Sequence, residues 1–261
     1  MQEELYRSIG NLLASARADD VERGLETIRA HIHGMTEEEG GRFLEMILAL
    51  FYIDPLDRPD LVPALEDALA LIGGFDKWAI PILIQNLEAS DVKAQMAMAQ
   101  ALGRMGADAV APLVAEYHQA CPEASCRAFI LYALGKIKSP QILDALPVAL
   151  EAAAAPEAEL RDSATRALGK FAESIPAGRL PAELREKAIA QLQANLADTS
   201  PAIRAKAVRS LGKLAKYGHL THDECTALAE TCRHLLGEDD QFAWDRAYVV
   251  RKEAREALQY V

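Results

Sequence analysis

Apolar positions recur along the chain with the period of an α-helix. Counting from eight residues before a recurring leucine, apolar side chains fall at offsets 0, 4, 8 and 11, which share one face of a helix. The leucine column holds Leu69, Leu102, Leu134, Leu168, Leu211 and Leu258. Successive members are 33, 32, 34, 43 and 47 residues apart. We interpret each copy of this stripe as one amphipathic helix.

A second helical pattern precedes several of these stripes. The clearest copy, AIPILIQNLEASD at residues 79–91, places Pro81 in an opening turn, where its missing N–H group costs nothing. Less regular copies occupy residues 110–120, 141–154 and 184–197. Helix pairs repeated at this period are typical of a solenoid, in which each pair buries its apolar face only against its neighbours.

Three further amphipathic segments lie before residue 60, at residues 3–17, 20–33 and 36–53. We interpret residues 1–59 as an N-terminal helical cap with an early repeat. Residues 60–261 then form the main repeats, continuous with the cap as a single domain. The predicted fold is all-α, an α-α superhelix of about seven helical hairpins.

The end of each stripe has almost the same sequence. It reads QALGRMG at 100–106, YALGKIK at 132–138, RALGKFA at 166–172 and RSLGKLA at 209–215. A glycine inside a helix costs about 1 kcal/mol relative to alanine, so its repetition implies a repeated benefit. Either a neighbouring backbone approaches too closely for a Cβ atom, or the helix begins to end there.

These segments resemble HEAT repeats, and in particular the bacterial HEAT-like units also found in phycobilin lyases. The resemblance covers roughly residues 60–261 and rests on AIPILIQNLEASD with VKAQMAMAQALGRMG, and on AIRAKAVRSLGKLA. It implies that a turn aspartate pairs with an arginine early in the second helix of each repeat. Two pairs at a spacing of six fit this pattern, Asp198 with Arg204 and Asp245 with Arg251. We call this series of pairs the Asp–Arg ladder. Arg127 and Arg161 have Cys121 and Ala155 at the aspartate position, so the ladder is incomplete.

The resemblance also implies that the second helices line a concave face that binds an extended partner. Offsets 2, 6 and 10 point away from the apolar stripe and would lie on that face. The candidate binding residues, here called the inner strip, are Gln100, Arg104, Tyr132, Lys136, Arg166, Lys170, Arg209 and Lys213. Such a cationic strip would suit an acidic peptide or protein patch. Alternatively, these cations are solvated helix ends, favoured there by the helix dipole.

Composition and charge narrow the functional classes. The formal net charge of −11 counts against a general nucleic-acid-coating role, which needs clustered lysine and arginine. No apolar run approaches 18 residues and the amino terminus has no signal-peptide pattern, which predicts a cytoplasmic protein without a membrane partner. Four cysteines in a chain of this length indicate reduced thiols, and Cys126, in a core column, would be a packed one. The oligomeric state stays open.

Histidines and cysteines cluster near the carboxyl end, at His219, His222, Cys225, Cys232 and His234. Zinc uses such ligands, but the spacing lacks the short paired C-x₂-C motifs of a zinc site, and buried helix thiols are common. We therefore predict no metal at these residues.

Catalytic motifs are also missing from the sequence. It has no G-x-S-x-G, phosphate loop or H-E-x-x-H motif, and none of the His-Glu dipeptides that bind iron in HEAT-like hydroxylases. We predict a scaffold or adaptor that binds a protein or peptide, without enzymatic activity or a cofactor. The resemblance to phycobilin lyases implies an alternative, a lyase-like subunit or accessory factor that helps attach a cofactor to another protein.

Overall fold

The computed structural model describes residues 2–32, 35–88, 91–119, 123–241 and 243–261. These residues form α-helices and short 3-10 helices and contain no β-strand, which confirms the all-α prediction. The α-helices are α1 (Gln2–Leu13), α2 (Ala18–His31), α3 (Glu37–Leu50), α4 (Val62–Ile72), α5 (Ala79–Gln85), α6 (Val92–Met105), α7 (Val110–Gln119), α8 (Ala124–Leu134), α9 (Leu146–Ala153), α10 (Ala158–Ala172), α11 (Ala182–Asn195), α12 (Pro201–Lys216), α13 (His222–Leu236) and α14 (Tyr248–Ala257). The 3-10 helices are Pro59–Leu61, Asn86–Glu88, Gly106–Ala109, Pro140–Ala145 and Leu258–Tyr260.

In the described residues fourteen α-helices follow one another, and the chain divides into two compact units, Met1–Pro112 and Leu113–Val261. In the first unit α1 packs on α2, α3 on α4 and α5 on α6, and the second helices α2, α4 and α6 pack in sequence. In the second unit the same holds for α8, α10, α12 and α14. The predicted hairpins are thereby confirmed, whereas the cap over residues 1–59 and its continuity with residues 60–261 as a single domain stay a prediction.

The predicted apolar columns are buried in the second unit at α10 and α12, whereas in the last repeat Leu258 is half-buried and Val261 is exposed. On α10 all four positions are buried, from Leu160 to Phe171, and α12 buries its four counterparts in the same way. On α4 the buried side chains are Ala64, Ala68, Leu71 and Ile72. Of the predicted column in this repeat, Leu61 and Ile72 are buried, whereas Leu65 and Leu69 are only half-buried. The apolar surface of α4 is therefore wider than packing inside this unit uses.

Some helix boundaries differ from the sequence pattern. The helix predicted over residues 79–91 ends as α5 at Gln85 and continues as the 3-10 turn Asn86–Glu88. The segment predicted over 141–154 begins as a 3-10 helix, and α9 starts only at Leu146, beside Pro147, which has no N–H group to extend a preceding α-helix. The sequence did not predict α13, which begins with a capping box between Thr221 and Glu224.

Both explanations for the recurring glycines apply, at different repeats. Gly135 is the C-cap of α8, and a Cβ atom there would meet nothing closer than 3.4 Å. A Cβ on Gly169 of α10 would lie 2.7 Å from the Cα atom of Ser210 on α12. A Cβ on Gly212 would lie 3.2 Å from the Cα atom of Ala257 on α14. Absent side chains thus allow α10, α12 and α14 to approach closely.

The Asp–Arg ladder forms between repeats, which corrects the expected pairing at a spacing of six. Arg161 donates from Nε to Asp198 at 2.8 Å, and Arg204 donates from Nε to Asp245 at 2.6 Å. The Nη1 atom of Arg204 donates instead to the backbone carbonyl of Asp198, at 2.9 Å. Each guanidinium therefore ties its own turn to the carboxylate of the next repeat. This hydrogen bond from Arg204 holds the pKa of Asp245 below its ordinary value.

The carbonyl contacts also explain why the alanine at position 155 does not break the ladder. Arg161 donates from Nη1 to the carbonyls of Ala155 and Pro156, at 3.0 and 2.6 Å. These acceptors belong to the backbone, so they need no aspartate at that position. The turn at Cys121, the other exception, lies outside the described residues.

The expectation of reduced thiols holds for Cys225 and Cys232 and is wrong for Cys126, which is disulfide-bonded and half-buried. The partner sulfur lies outside the described residues. A position in an apolar column does not distinguish a packed thiol from a bonded one, because both contribute the same apolar surface. Within the described residues no helix has the length and apolar character to cross a bilayer. The cytoplasmic location stays a prediction.

Candidate interaction surfaces

The inner strip is distributed over both units. Gln100 and Arg104 lie on α6 in the first unit. The second unit carries Tyr132 on α8, Lys136 in the turn after it, Arg166 and Lys170 on α10, and Arg209 and Lys213 on α12. Because α8, α10 and α12 pack side by side, these six side chains come together on neighbouring helices.

An open cationic pair lies over one aromatic ring. The Nζ atom of Lys136 is 4.7 Å from the ring centre of Tyr132, and the Cζ atom of Arg166 is 5.0 Å from the same centre. All three side chains are half-buried. Among the described residues no carboxylate lies within ion-pair distance of either cation. Tyr132 therefore holds two charges that have no acidic partner in this part of the chain.

Two other strip lysines converge on one carboxylate. Glu173 lies just after α10 and accepts from Lys213 at 2.6 Å, from Lys138 at 2.7 Å and from Lys170 at 3.1 Å. Burial alone would raise the pKa of Glu173, but these hydrogen bonds outweigh it and lower the pKa to about 2. Burial lowers the pKa of the Lys213 ammonium to about 8. The hydrogen bonds of this cluster link α10 to α12.

The last strip cation is also paired. Arg209 donates from Nε to Oε2 of Glu253 on α14, at 2.7 Å, and Glu253 is buried. This hydrogen bond raises the pKa of the Arg209 guanidinium. In the second unit the inner strip therefore consists of an open pair, Lys136 and Arg166, beside cations that hold neighbouring helices together.

The first unit contains an apolar cleft that the sequence pattern did not predict. Its volume is about 390 Å³, and it lies between α4, α6 and the segment that follows α3. Its apolar lining consists of Phe51, Ile53, Pro55, Leu56, Val62, Leu65, Leu69, Met96 and Ala97. Its polar lining consists of Asp54, Glu66, Lys93 and Gln100. We call this set of residues the apolar cleft.

One signal could have located the cleft. Leu65 and Leu69 occupy core columns, while Met96 and Gln100 occupy the outward offsets of the next second helix. Large apolar side chains on both faces would have indicated a lined groove. The remaining wall comes from residues 51–56, which follow the end of α3 at Leu50. The sequence pattern had placed residues 51–53 at the end of an amphipathic helix and gave no pattern for residues 54–56.

The histidines and cysteines near the carboxyl end contact protein groups and do not form a metal-binding cluster within the described residues. His219 is buried, with Nε2 3.0 Å from the carbonyl oxygen of Ala172. His234 lies on α13 with Nδ1 2.6 Å from a carboxylate oxygen of Asp239. Burial raises the pKa of the Cys232 thiol to about 11, which opposes the thiolate form that binds metals. Within the described residues, no three histidine, cysteine or acidic side chains gather closely enough to hold a metal ion.

No protein-family model matches the chain, and no curated protein matches it. Its fold is similar to the solved complex of CpcE and CpcF of phycocyanin lyase from Nostoc sp. PCC7120, with a TM-score of 0.56 and 22% identity, over 70% of this chain and 99% of that chain. A designed armadillo repeat protein in complex with the peptide (KR)4 aligns with a TM-score of 0.49 and 17% identity, over 98% of this chain and 99% of that chain.

The likeness to the lyase complex shows the fold alone, because the sequence identity is low. Together with the helical hairpins, the buried columns and the Asp–Arg ladder, it confirms the predicted resemblance at that level. The protein has the HEAT-like α-solenoid fold.

Proposed function

We propose that the protein is a non-enzymatic scaffold that holds an acidic peptide segment, or an acidic patch of a protein partner, on the inner strip of its second unit. The open pair, Lys136 and Arg166 over Tyr132, is the observation that carries this proposal. A carboxylate placed there would receive the planar fork of a guanidinium and the point charge of an ammonium.

The paired cations support the same proposal in a different way. Lys170 and Lys213 are fixed by Glu173, and Arg209 is fixed by Glu253, so α10, α12 and α14 are tied together next to the open pair. A surface that is already ordered loses less conformational entropy when a partner binds. The inner strip thus combines fixed helices with two cations available to a partner.

The alternative role, a lyase-like subunit or accessory factor for cofactor attachment, has the likeness of fold as its support. That likeness does not transfer any residue or activity to this chain. The two functions differ in a simple observation. A lyase-like protein would transfer colour to a substrate protein when a chromophore is supplied, whereas a binding scaffold would leave such a mixture unchanged.

The test compares two synthetic peptides that have the same length and differ only in charge, one rich in glutamate and one rich in lysine. Fluorescence anisotropy should show that the full chain prefers the glutamate peptide by about tenfold. The double variant Lys136→Glu with Arg166→Glu should lose about tenfold in affinity for it, because two attractive charges become repulsive.

Arg179→Glu is the matched control, because Arg179 is an exposed cation of the same unit that lies outside the inner strip. Its affinity for the glutamate peptide should stay within about twofold of wild type. Equal losses in the control and the double variant would mean that overall charge, and not this surface, decides binding. Absence of any preference for the glutamate peptide in the wild-type chain would also contradict the proposal.

A further inference from the structure

We propose that the apolar cleft of the first unit binds a second kind of partner segment, one that is amphipathic and basic. In this interaction a large apolar side chain of the partner enters the cleft, and a lysine or arginine of the partner lies beside Glu66. The proposal does not depend on the function proposed for the second unit, because it involves other residues and the opposite charge.

The rim of the cleft exposes an unusual amount of apolar surface. Leu56 is 86% exposed, and Val62 and Met96 are each 39% exposed. Single exposed apolar residues are common, but three that line the same concave site indicate a surface that is covered in use. Met96 adds adaptability, because its unbranched side chain can repack around different apolar groups.

The wall formed by α4 supports the same conclusion. Leu102, Leu134, Leu168 and Leu211 occupy the leucine column in the inner repeats and are buried there. Leu258, in the last repeat, is half-buried. The counterpart on α4, Leu69, is half-buried and faces the cleft, as does Leu65 one turn earlier. These leucines leave apolar area in water that an inserted side chain would cover, and this is the main source of binding free energy at such sites.

Charge selects the kind of partner. Residues 1–112 carry 19 aspartates and glutamates against 9 lysines and arginines, a net charge of −10, whereas residues 113–261 carry 20 against 19, a net charge of −1. At the rim itself Lys93 is paired with Asp54. Glu66 is exposed, and among the described residues no cation lies within ion-pair distance of it. The negative charge of the first unit, together with Glu66, attracts a basic segment and repels an acidic one.

The negative charge of the first unit also disfavours a second copy of this chain as the occupant. A symmetric pairing through the cleft would bring two surfaces of like charge together, each from a unit with a net charge of −10. Like charges opposed across an interface oppose association. A basic amphipathic segment of another protein would cover the apolar wall and place a cation beside the carboxylate of Glu66.

The experiment uses the full chain and three synthetic peptides of equal length. The first has leucines on one helical face and lysines on the other, the second has glutamates in place of the lysines, and the third has the composition of the first in scrambled order. Fluorescence anisotropy at physiological ionic strength should show that the leucine–lysine peptide binds about tenfold more tightly than the scrambled peptide. In the variant Lys136→Glu with Arg166→Glu, whose inner strip no longer attracts acidic peptides, it should also bind about tenfold more tightly than the glutamate peptide.

Variants then assign the binding to the cleft. The double variant Leu56→Ser with Met96→Gln should bind the leucine–lysine peptide about tenfold more weakly, because it removes apolar surface from the rim. Leu56 is mostly exposed, so its replacement leaves the core intact, and the circular dichroism spectrum checks this for the double variant.

Glu66→Lys should reduce the preference for the lysine peptide over the glutamate peptide. Val92→Ser is the matched control, an exposed apolar residue of α6 outside the cleft, and its affinity should stay within about twofold of wild type.

Three results would overturn the proposal. Equal binding of the scrambled peptide would show attraction by charge alone, and unchanged affinity in a folded double variant would place the peptide elsewhere. Sedimentation of the wild type as a dimer that the double variant converts to a monomer would make a second copy the occupant. Charge reversal at Lys136 and Arg166 should leave binding of the leucine–lysine peptide unweakened, so failure of this proposal and failure of the proposed function can be told apart.

Discussion

Glu173 accepts hydrogen bonds from lysines in three different segments of the chain: Lys138 after α8, Lys170 on α10 and Lys213 on α12. Helical periodicity placed Lys170 and Lys213 on one face, and they do lie together. It did not identify their acceptor, because Glu173 is the C-cap of α10 and lies beyond offsets 2, 6 and 10, at which the inner strip was counted. A partner just beyond a helix end is missed when only positions inside the helix are compared.

The lowered pKa of Glu173 gives a prediction for acid stability. Its pKa in the folded chain is about 2, below the ordinary value of 4.5, so the stabilisation is present above about pH 4.5 and is lost as the pH falls towards 2. Glu173→Gln lacks this contribution. Its unfolding free energy should be lower than that of wild type by roughly 1–2 kcal/mol near pH 6, after allowance for solvent screening, and the difference should shrink near pH 2.5.

Urea unfolding at several pH values measures this difference. Glu159→Gln is the control, since Glu159 is exposed on the same helix, and its stability should follow wild type within about 0.5 kcal/mol. A constant difference between Glu173→Gln and wild type at all pH values would show that the carboxylate does not act through its charge.

At the scale of the helices, periodicity predicted the second helices well. The observed α6, Val92–Met105, matches the stretch VKAQMAMAQALGRMG on which the resemblance rests, and the apolar columns of α10 and α12 are buried. Periodicity failed where a hairpin begins with a 3-10 turn, as at Pro140–Ala145, because i→i+3 bonding shifts the phase of the apolar positions. It also left open what the repeated glycines do, since that depends on how closely two helices approach.

Two glycines in equivalent positions should therefore respond differently to alanine. Gly169→Ala places a Cβ atom against the backbone of Ser210, so α10 and α12 must separate, and the variant should lose about 1–2 kcal/mol of stability in spite of its better helix propensity. Gly135→Ala meets ordinary contact distances and should be neutral or more stable by up to about 1 kcal/mol.

Urea unfolding of both variants measures the effect, with the m-value as a check that the same surface is exposed. Equal stability of the two variants would mean that close helix approach is not the reason for the glycine at position 169.

At the scale of the whole molecule, the division into two compact units was not visible in the repeat pattern. The boundary between Pro112 and Leu113 lies inside α7, in a segment that reads as an ordinary first helix. Periodicity reports how each helix buries its own face, whereas a unit boundary depends on contacts between distant segments. The contrast in net charge, −10 for residues 1–112 and −1 for residues 113–261, becomes apparent only once this boundary is known.

The two units should also respond separately to a local change. In a stack of repeats each hairpin gains stability from its immediate neighbours, so Gly169→Ala should weaken hydrogen-exchange protection in α10 and α12 and leave α1 to α4 unchanged. Hydrogen exchange followed by mass spectrometry of peptide fragments gives the protection of each helix, with wild type as the reference. A uniform loss over the described residues would indicate that the chain unfolds as one cooperative body.

The Asp–Arg ladder makes the repeats interchangeable at their junctions. Arg204 reaches forward to Asp245, and the segment from Asp198 to Trp244 begins with an acceptor of this kind and contains a donor. If that segment were copied and inserted before Asp245, every guanidinium would still meet a carboxylate in the module that follows. Duplication of a repeat can therefore lengthen the chain and keep the same contact between neighbouring repeats.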